Sequence, residues 1–238
     1  MKISIVGAGR SGTSFATAMR AVGHDVRVIH HDELEHVGEC DVVLLCVPDD
    51  AIAEVSQALA PSDSRVVLHV AGSKGLDDVA NHPRSGFLHP LAMLSTTEIG
   101  ASRLHGATFS VGGDEVTAQL VASLEGQALH LSDDQRVAYH ATAAVAANHL
   151  VTLIGHVQVL AESAGLTLAE FVPLIEQAVG DSIEMGASRA LTGPASRGDM
   201  KTIDAHLAAI PESERSTYVA LANAAFELAE ARRLTSAP

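Results

Sequence analysis

Short apolar runs alternate with helix-like segments through the first half of the chain. Most of these runs are continuous and rich in Val, Ile and Leu, which is typical of parallel strands buried on both faces. Helices are expected between them at 11–21, 51–59 and 116–124. Strands that alternate with helices predict an α/β fold with a doubly wound, mostly parallel sheet. The expected strands are 2–6, 26–29, 41–47, 65–70, 86–89, 107–111 and 128–131.

The pattern changes near Ser132, and no later run predicts a strand. Ser132 or Asp133 is expected to cap a long helix from about 135 to 164, and Gly165 is expected to end it. The sequence therefore divides into a sheet domain, 1–131, and an all-helical C-terminal domain, 132–238. Shorter helices are expected in the second domain at 168–180, 182–190, 199–207 and 212–233.

The long helix is apolar on nearly all sides, so the burial of one face does not explain it. We expect a buried helix of a soluble protein rather than a membrane span, surrounded by other helices, some from a second subunit. His140 and Asn148 share one face of this helix at a spacing of i, i+8. A polar side chain there needs a partner or lines a cavity, so this face holds either satisfied core groups or part of a substrate cleft.

The first apolar run leads directly into Gly7-Ala8-Gly9-Arg10-Ser11-Gly12, a Gly-x-Gly-x-x-Gly pattern between a strand and a helix. In this context Gly7 permits a tight turn, Gly9 lets the backbone approach a pyrophosphate, and Gly12 allows close helix–strand packing. The helix N-terminus adds free N–H groups and a positive dipole. An ordinary glycine-rich turn is the alternative. The combination favours a Rossmann-like dinucleotide-binding domain over 1–131, with a helical substrate and dimerisation domain over 132–238.

The end of the second strand indicates which dinucleotide binds. An NAD site usually places an acidic residue there to hold the ribose hydroxyls. Here the strand ends in His30 and His31, and Arg10 lies in the glycine loop. These three side chains are expected to hold the 2′-phosphate of NADP, while Asp32 keeps NAD open as the alternative.

Composition and charge reduce the number of functional classes that remain for this chain. The formal net charge is −14 and no basic stripe is visible, which disfavours nucleic acid as a partner. Cys40 and Cys46 fit reduced thiols of a cytoplasmic protein, and no disulfide framework is expected. The N-terminus leads directly into the first strand, so no signal peptide is expected. The histidines show no zinc-ligand spacing, so no metal site is expected.

The glycine loop and the run 46–52 resemble the 6-phosphogluconate dehydrogenase-like superfamily, which includes pyrroline-5-carboxylate and ketopantoate reductases. A closer resemblance is to two-domain Rossmann-like oxidoreductases whose C-terminal half is a domain of unknown function. That resemblance implies the fold, a nicotinamide cofactor and a homodimer, without a settled substrate. It is carried by segments 88–91, 139–141, 148–151, 190–199 and 206–207.

One feature departs from the better understood members of that superfamily. Its ketopantoate and hydroxyacid enzymes rely on a lysine in the first long helix after the sheet, and this helix contains no lysine. The proton donor must therefore be another group. His140 is the leading candidate because its ordinary pKa lies near neutrality, and Tyr139, His89 and Lys74 are the alternatives.

These observations predict an NAD(P)H-dependent oxidoreductase that reduces a C=O or C=N bond of a small, carboxylate-bearing substrate, a 2-oxo acid such as ketopantoate being one candidate. A non-catalytic dinucleotide-binding or sensing protein and a deazaflavin-dependent oxidoreductase are the alternatives. His140 and Asn148 are the expected catalytic residues, and His89, Thr192 and Arg197 are expected to bind the substrate. Residues expected at the cofactor are Gly7, Gly9, Arg10, Ser11, Gly12, His30, His31, Val47, Pro48, Gly72 and Ser73.

Overall fold

The computed structural model describes residues 1–235 and contains two compact units, one over 1–147 and one from Asn148 onward. This division falls within the long helix, later than the boundary after residue 131 that the sequence suggested. The reason is that the first part of the long helix packs on the sheet, where the Arg136 guanidinium lies over the Phe87 ring at 4.7 Å from its centre.

The first unit is built around one sheet with the strand order 2-1-3-4-5-6-7 in chain numbering. Neighbouring strands run parallel, except that the fifth and sixth are antiparallel. The expected fold class, a doubly wound and mostly parallel sheet with a helical C-terminal part, is confirmed. The strands are β1 (Lys2–Val6), β2 (Asp25–Ile29), β3 (Val42–Leu45), β4 (Val66–His69), β5 (Ser85–Pro90), β6 (Thr108–Gly113) and β7 (Gln127–His130).

Alternate residues of the central strands belong to two separate apolar clusters, so the sheet is buried on both faces. In β3, Val42 and Leu44 join the cluster that contains Phe15, whereas Val43 and Leu45 join the other. All four are fully buried, and burial of each such side chain contributes about 2 kcal/mol. The helices that supply the outer layers are α1 (Arg10–Ala21), α2 (Ile52–Ala58), α3 (Thr97–Leu104) and α4 (Val116–Ser123).

The connections between strands set the position of the glycine loop. The link from β2 to β3 is too short for a full crossover helix and contains only a short 3-10 helix, Leu34–Val37. β2 and β3 lie on opposite sides of β1, so the strand order changes direction there, at the kind of switch point where open α/β sheets bind ligands. Helix α3 was not predicted. It packs on α1, where the Thr97 and Thr13 hydroxyls are 2.9 Å apart.

The long helix continues from α5 (Asp133–Ala144) through a π-helical segment (Val145–His149) into α6 (Leu150–Ser163). Ser132 forms the expected N-terminal cap, and its backbone N–H donates to the Gln135 side chain at 3.0 Å. The π-helical segment was not predicted, and it contains Asn148. π-Helical segments are rare in proteins, and those that do occur are frequently found at functional sites.

The expectation that the long helix is buried is wrong within one chain. From Asp134 to Ser163 only Arg136, His156 and Ala161 are buried. By length and composition this helix would suffice to cross a membrane, a test that core helices of soluble proteins also pass. Its exposed apolar residues need another surface to cover them.

The second unit is helical, and no strand occurs among its described residues. The expected break at Gly180 is wrong, because one helix runs from Val172 to Met185 and continues past it. The chain breaks instead at Gly186, whose φ of 87° is favourable only for glycine. Besides α6, the helices are α7 (Val172–Met185), α8 (Ala187–Ala190), α9 (Gly193–Arg197), α10 (Met200–Ala209) and α11 (Glu212–Thr235), with a 3-10 turn at Leu168–Phe171.

Candidate functional site

The three glycines of the first loop have three different surroundings. Gly7 has a φ of 110°, and a Cβ on Gly12 would lie 1.9 Å from the Gly7 carbonyl oxygen, so both are needed for the turn and for the packing of α1. A Cβ on Gly9 would meet nothing within 4 Å. The fold therefore does not require glycine at position 9, and a ligand that approaches the backbone there would.

The loop lies directly over the end of β3. Cys46 is buried beneath it, and burial raises the pKa of its thiol to about 12, although a hydrogen bond with Ser11 acts in the opposite direction. This cysteine stays a neutral thiol at physiological pH. It supports the loop and is not a nucleophile.

The side chains expected to choose between NADP and NAD are all exposed at this edge of the sheet. Arg10 is the first residue of α1, and His30 and His31 follow the end of β2. The His30 backbone N–H donates to the Glu33 carboxylate at 3.3 Å. The arrangement leaves Arg10, His30 and His31 free to meet an anion, and the choice of cofactor stays a prediction.

The ends of β3 and β4 are joined by a side-chain hydrogen bond. Val47 and Pro48 follow β3, and Gly72 and Ser73 follow β4, as expected. The Ser73 hydroxyl donates to the Asp49 carboxylate at 2.5 Å. Asp49 was not among the expected site residues, and its bond fixes the two loops over which the nicotinamide was expected.

A cluster of histidines occupies the carboxyl ends of β4 and β5. His69 ends β4 and is fully buried. Its Nε2–H donates to the Gly75 carbonyl at 3.0 Å, while its Nδ1 accepts the Ala71 backbone N–H at 3.3 Å. Burial lowers the pKa of His69. Both nitrogens are satisfied by the backbone, so His69 is a structural, neutral residue.

His89 and His140 converge on Gly72. A Cβ on Gly72 would lie 2.5 Å from His140 Nδ1 and 2.8 Å from His89 Nε2. The two rings meet edge to face with their centres 5.6 Å apart. Position 72 must therefore lack a side chain, because the two imidazoles occupy that space. His89, His140 and Gly72, which the sequence supplied as separate candidates, therefore meet within the first unit.

Tyr139 completes the cluster. Its ring meets His89 edge to face, and its hydroxyl lies 3.5 Å from His89 Nδ1, at the outer limit of a hydrogen bond. Burial raises the pKa of Tyr139. Burial also lowers the pKa of His89 to about 4, helped by the charge of His140 and opposed in part by Asp49. At neutral pH the Tyr139 phenol and the His89 imidazole are therefore both uncharged.

Lys74 is the alternative donor that the structure disfavours. Its ammonium group lies 3.2 Å from the Asp78 carboxylate, in an ion pair one helical turn along the chain. This ion pair directs the Lys74 side chain to Asp78. Within the described residues, no group of three or more His, Cys, Asp or Glu side chains is placed to hold a metal ion.

The remaining expected residues lie in the second unit. Asn148 is exposed within the π-helical segment, and Thr192 is exposed at the start of α9. Arg197 is exposed at the end of α9 and forms no hydrogen bond or ion pair among the described residues. Asp199 caps α10, because its carboxylate accepts the Thr202 N–H at 3.1 Å. A shared pocket for His140, Asn148, Thr192 and Arg197 stays a prediction.

Sequence reasoning missed three contributors to the histidine cluster, namely His69, Asp49 and Phe87, whose ring stacks on His69 at 5.7 Å. A signal for His69 exists, because the apolar run Val66-Val67-Leu68 ends in histidine just as the run before Pro90 does. Two strands that end in histidine at the same edge of a parallel sheet place those rings together. Asp49 has no comparable signal, since its bond to Ser73 depends on the loop conformations.

The fold is that of NADP-type oxidoreductases. A crystal structure of a proposed NADP oxidoreductase from Bacteroides fragilis superposes with a TM-score of 0.83 at 21% identity, covering 95% of this chain and 98% of that one. Plasmodium falciparum pyrroline carboxylate reductase with NADP bound superposes with a TM-score of 0.61 at 12% identity, over 97% of each chain. At these identities the likeness shows the fold alone.

The sequence also matches one family model. Residues 108–225 match the model described as a domain of unknown function, DUF2520. A glycerol-3-phosphate dehydrogenase [NAD(P)+] from Gloeobacter violaceus is 32% identical over 139 residues, which cover 54% of this chain and 43% of that protein. The chain thus matches less than half the length of that relative. The expected resemblance to two-domain Rossmann-like oxidoreductases is confirmed.

Proposed function

We propose that this protein is an NADPH-dependent reductase of a C=O or C=N bond in a small, carboxylate-bearing substrate, with a 2-oxo acid such as ketopantoate as one candidate. The observation that carries the proposal is the position of the His89–His140 cluster. This cluster lies at the carboxyl edge of the sheet. The glycine loop lies at the same edge, and of its three glycines Gly9 alone has open space where a Cβ would be. A redox site of this fold needs a dinucleotide loop and a proton donor at one edge, and the first unit offers a candidate for each.

The residues of the first unit fit a nicotinamide dinucleotide. The open backbone at Gly9 and the N-terminus of α1 suit the pyrophosphate, because free N–H groups there point outward. The loops joined by Asp49 and Ser73 suit the nicotinamide end. When bound, this cofactor supplies a hydride. NADP is favoured by exposed Arg10, His30 and His31, and NADP is also named for the structural neighbours.

His140 is the proposed proton donor. As the carbon of the C=O or C=N bond gains a hydride, the oxygen or nitrogen gains negative charge and must take up a proton. The Nδ1 atom of His140 is enclosed above Gly72 and has no hydrogen-bond partner in the described part of the chain. Its Nε2 is therefore the atom that would meet the substrate. Arg197 is the proposed partner of the substrate carboxylate, because guanidinium binds carboxylate in bidentate geometry, and Asn148 and Thr192 remain the other candidates.

We also propose that the protein is a homodimer of the cytoplasm. Among the described residues from Asn148 onward, only His156, Ala161, Ala195, Ile203 and Ala229 are buried. Large apolar side chains are meanwhile exposed, including Leu174 at 62% and Ile183 at 81%. A helical unit with so small a core needs a partner surface. A second copy is the simplest partner, because the same apolar helices are then covered on both chains.

The function is tested by following NADPH oxidation with a panel of 2-oxo acids and cyclic imines, ketopantoate included. Turnover with a member of the panel is expected, and His140→Ala should lower kcat by about a hundredfold or more while leaving the Kd for NADPH unchanged. Arg197→Ala should raise KM for the acid with little change in cofactor binding. NADPH binding without turnover on any of these substrates would favour the sensing alternative, and no NADPH binding would refute the proposal.

A further inference from the structure

The two nitrogens of His89 face different groups. Its Nδ1 lies 3.5 Å from the Tyr139 hydroxyl. Its Nε2 is directed to Gly72, where it lies 2.8 Å from the position that a Cβ would take. A single imidazole therefore connects the phenol on one side with the space above Gly72 on the other.

His140 continues this line. Its Nδ1 lies 2.5 Å from the same Cβ position that His89 Nε2 approaches to 2.8 Å. This Nδ1 is buried, and it forms no hydrogen bond among the described residues. A buried ring nitrogen without a partner costs free energy in a static structure. It is useful where a proton must arrive from the neighbouring ring, and His89 is the neighbour.

We propose that Tyr139, His89 and His140 form a proton relay, in which the Tyr139 hydroxyl and His89 resupply the proton that His140 delivers. The inference rests on the proposed function, because it is the reduction step that removes a proton from His140. In this proposal Tyr139 and His89 act through His140, so they are relay residues. His89 takes this role in place of the substrate contact that the sequence suggested.

The proton transfers balance along the line. His140 gives its Nε2 proton to the substrate oxygen or nitrogen. His89 then releases its Nε2 proton to His140 Nδ1 and takes the Tyr139 proton at its own Nδ1, and Tyr139 regains a proton from solvent. No electrons move in these steps. His140 and His89 both end with their proton on Nδ1, so each ring must lose that proton to solvent and regain one on Nε2 before the next turnover. The two ring nitrogens are not yet in direct hydrogen-bond contact, so a small ring rotation must accompany transfer; long contacts of this kind are common before substrate binds.

The environment of His89 as a whole favours its neutral form. Burial, His140 and His69 lower its pKa, and Asp49, in the loop after β3, raises it in part. Burial lowers the pKa of His89 to about 4. A neutral imidazole carries one N–H and one lone pair, so it can accept a proton on one nitrogen while it releases one from the other. A permanently charged histidine has no lone pair and could not do so.

The first test measures tautomers and requires no turnover. In ¹⁵N-histidine-labelled protein at neutral pH, the relay predicts that His89 is neutral and carries its proton on Nε2, because Nδ1 accepts from Tyr139. Tyr139→Phe should increase the Nδ1–H form severalfold. The matched control is Tyr218→Phe, since the Tyr218 hydroxyl lies 2.6 Å from Nδ1 of another histidine, His206. That control should change His206 and leave His89 as it is.

The second test uses the reductase reaction. His89→Gln keeps a polar group of similar size but cannot pass a proton, so kcat should fall tenfold or more, the pH profile of kcat should change, and the Kd for NADPH should not. Tyr139→Phe should lower kcat in the same direction. An Nδ1–H tautomer of His89 in the unaltered protein, or wild-type kcat and pH profile in His89→Gln, would overturn the relay. Failure to bind NADPH would instead refute the proposed function, and the tautomer measurement distinguishes the two.

Discussion

At the scale of single residues, the absence of one side chain shapes the candidate site. Gly72 is buried, and the space that a Cβ would fill is taken by the rings of His89 and His140. The sequence predicted that Gly72 lies near the nicotinamide, but it did not show why glycine is required at this position. The residue is small because two catalytic candidates from different elements, β5 and α5, come together over it.

Gly72→Ala should therefore displace the His140 ring. The added methyl group would lie 2.5 Å from His140 Nδ1, and such overpacking costs about 1–3 kcal/mol. The free energy of unfolding in urea, measured without cofactor, should fall by that amount. Gly9→Ala is the matched control, because its Cβ meets nothing within 4 Å. Equal stability of the two variants would contradict the packing described here.

His89 predicts a pH dependence of stability. Its pKa is about 4 in the folded protein against an ordinary value of 6.5. Above pH 6.5 it is neutral in both states, whereas below that pH the unfolded chain takes up a proton that the folded one does not. Stability should therefore fall between pH 6.5 and about 4, by up to about 3 kcal/mol from this residue.

His89→Gln removes that contribution, so the Tm of the variant should decline less steeply than that of the wild type over this pH range. Burial also lowers the pKa of His69, which is present in both the variant and the wild type. Part of the decrease in Tm at low pH should therefore persist in the variant. Parallel Tm curves for variant and wild type would show that His89 has its ordinary pKa.

Arg10 should determine the preference for NADPH. Its exposed guanidinium at the start of α1 is expected to contact the 2′-phosphate, which NADH lacks. Arg10→Ala should weaken NADPH binding about tenfold, the loss of one charge-assisted contact, and leave the Kd for NADH unchanged. Tighter binding of NADH than of NADPH by the wild-type protein would refute the assignment and favour Asp32 as the ribose partner.

At the scale of elements, the strand–loop–helix unit was predictable and several helices were not. Strand runs are continuous and apolar because they are buried on both faces, so their pattern is unambiguous. Helix α3 is capped by Thr96, whose hydroxyl accepts the Ile99 N–H at 3.3 Å, but the helix is short and has a weak apolar pattern. Helix α7 continues through Gly180, because a glycine within a helix costs only about 1 kcal/mol.

The glycine loop gives the sharpest test at this scale. Gly9→Val should abolish measurable NADPH binding, because the side chain would occupy the space over the backbone where the pyrophosphate approaches. The same variant should unfold at nearly the wild-type temperature, since nothing lies within 4 Å of its Cβ. Titration of NADPH by fluorescence checks the binding, and unchanged affinity in a folded variant would refute the cofactor site.

At the scale of the whole molecule, the exposed apolar helices predict the oligomeric state. The protein should sediment as a dimer at micromolar concentration. Ile183→Glu should shift it toward monomer, because Ile183 is 81% exposed in one chain and a charge would be buried in the dimer. Ala60→Glu, at an exposed position of the first unit, is the control and should remain dimeric. A monomeric wild-type protein would contradict the proposal.

The sequence by itself determined the sheet, the glycine loop and the helical second half, because each depends on a local pattern of apolar residues, glycines and caps. It also supplied His140, His89 and Gly72 as separate candidates. Only the tertiary structure decided that these three meet, that Tyr139 and Asp49 join them, and that Lys74 is held by Asp78. Those contacts join residues that are distant along the chain, and their distances depend on how strand ends, loops and α5 pack together, which no local pattern specifies.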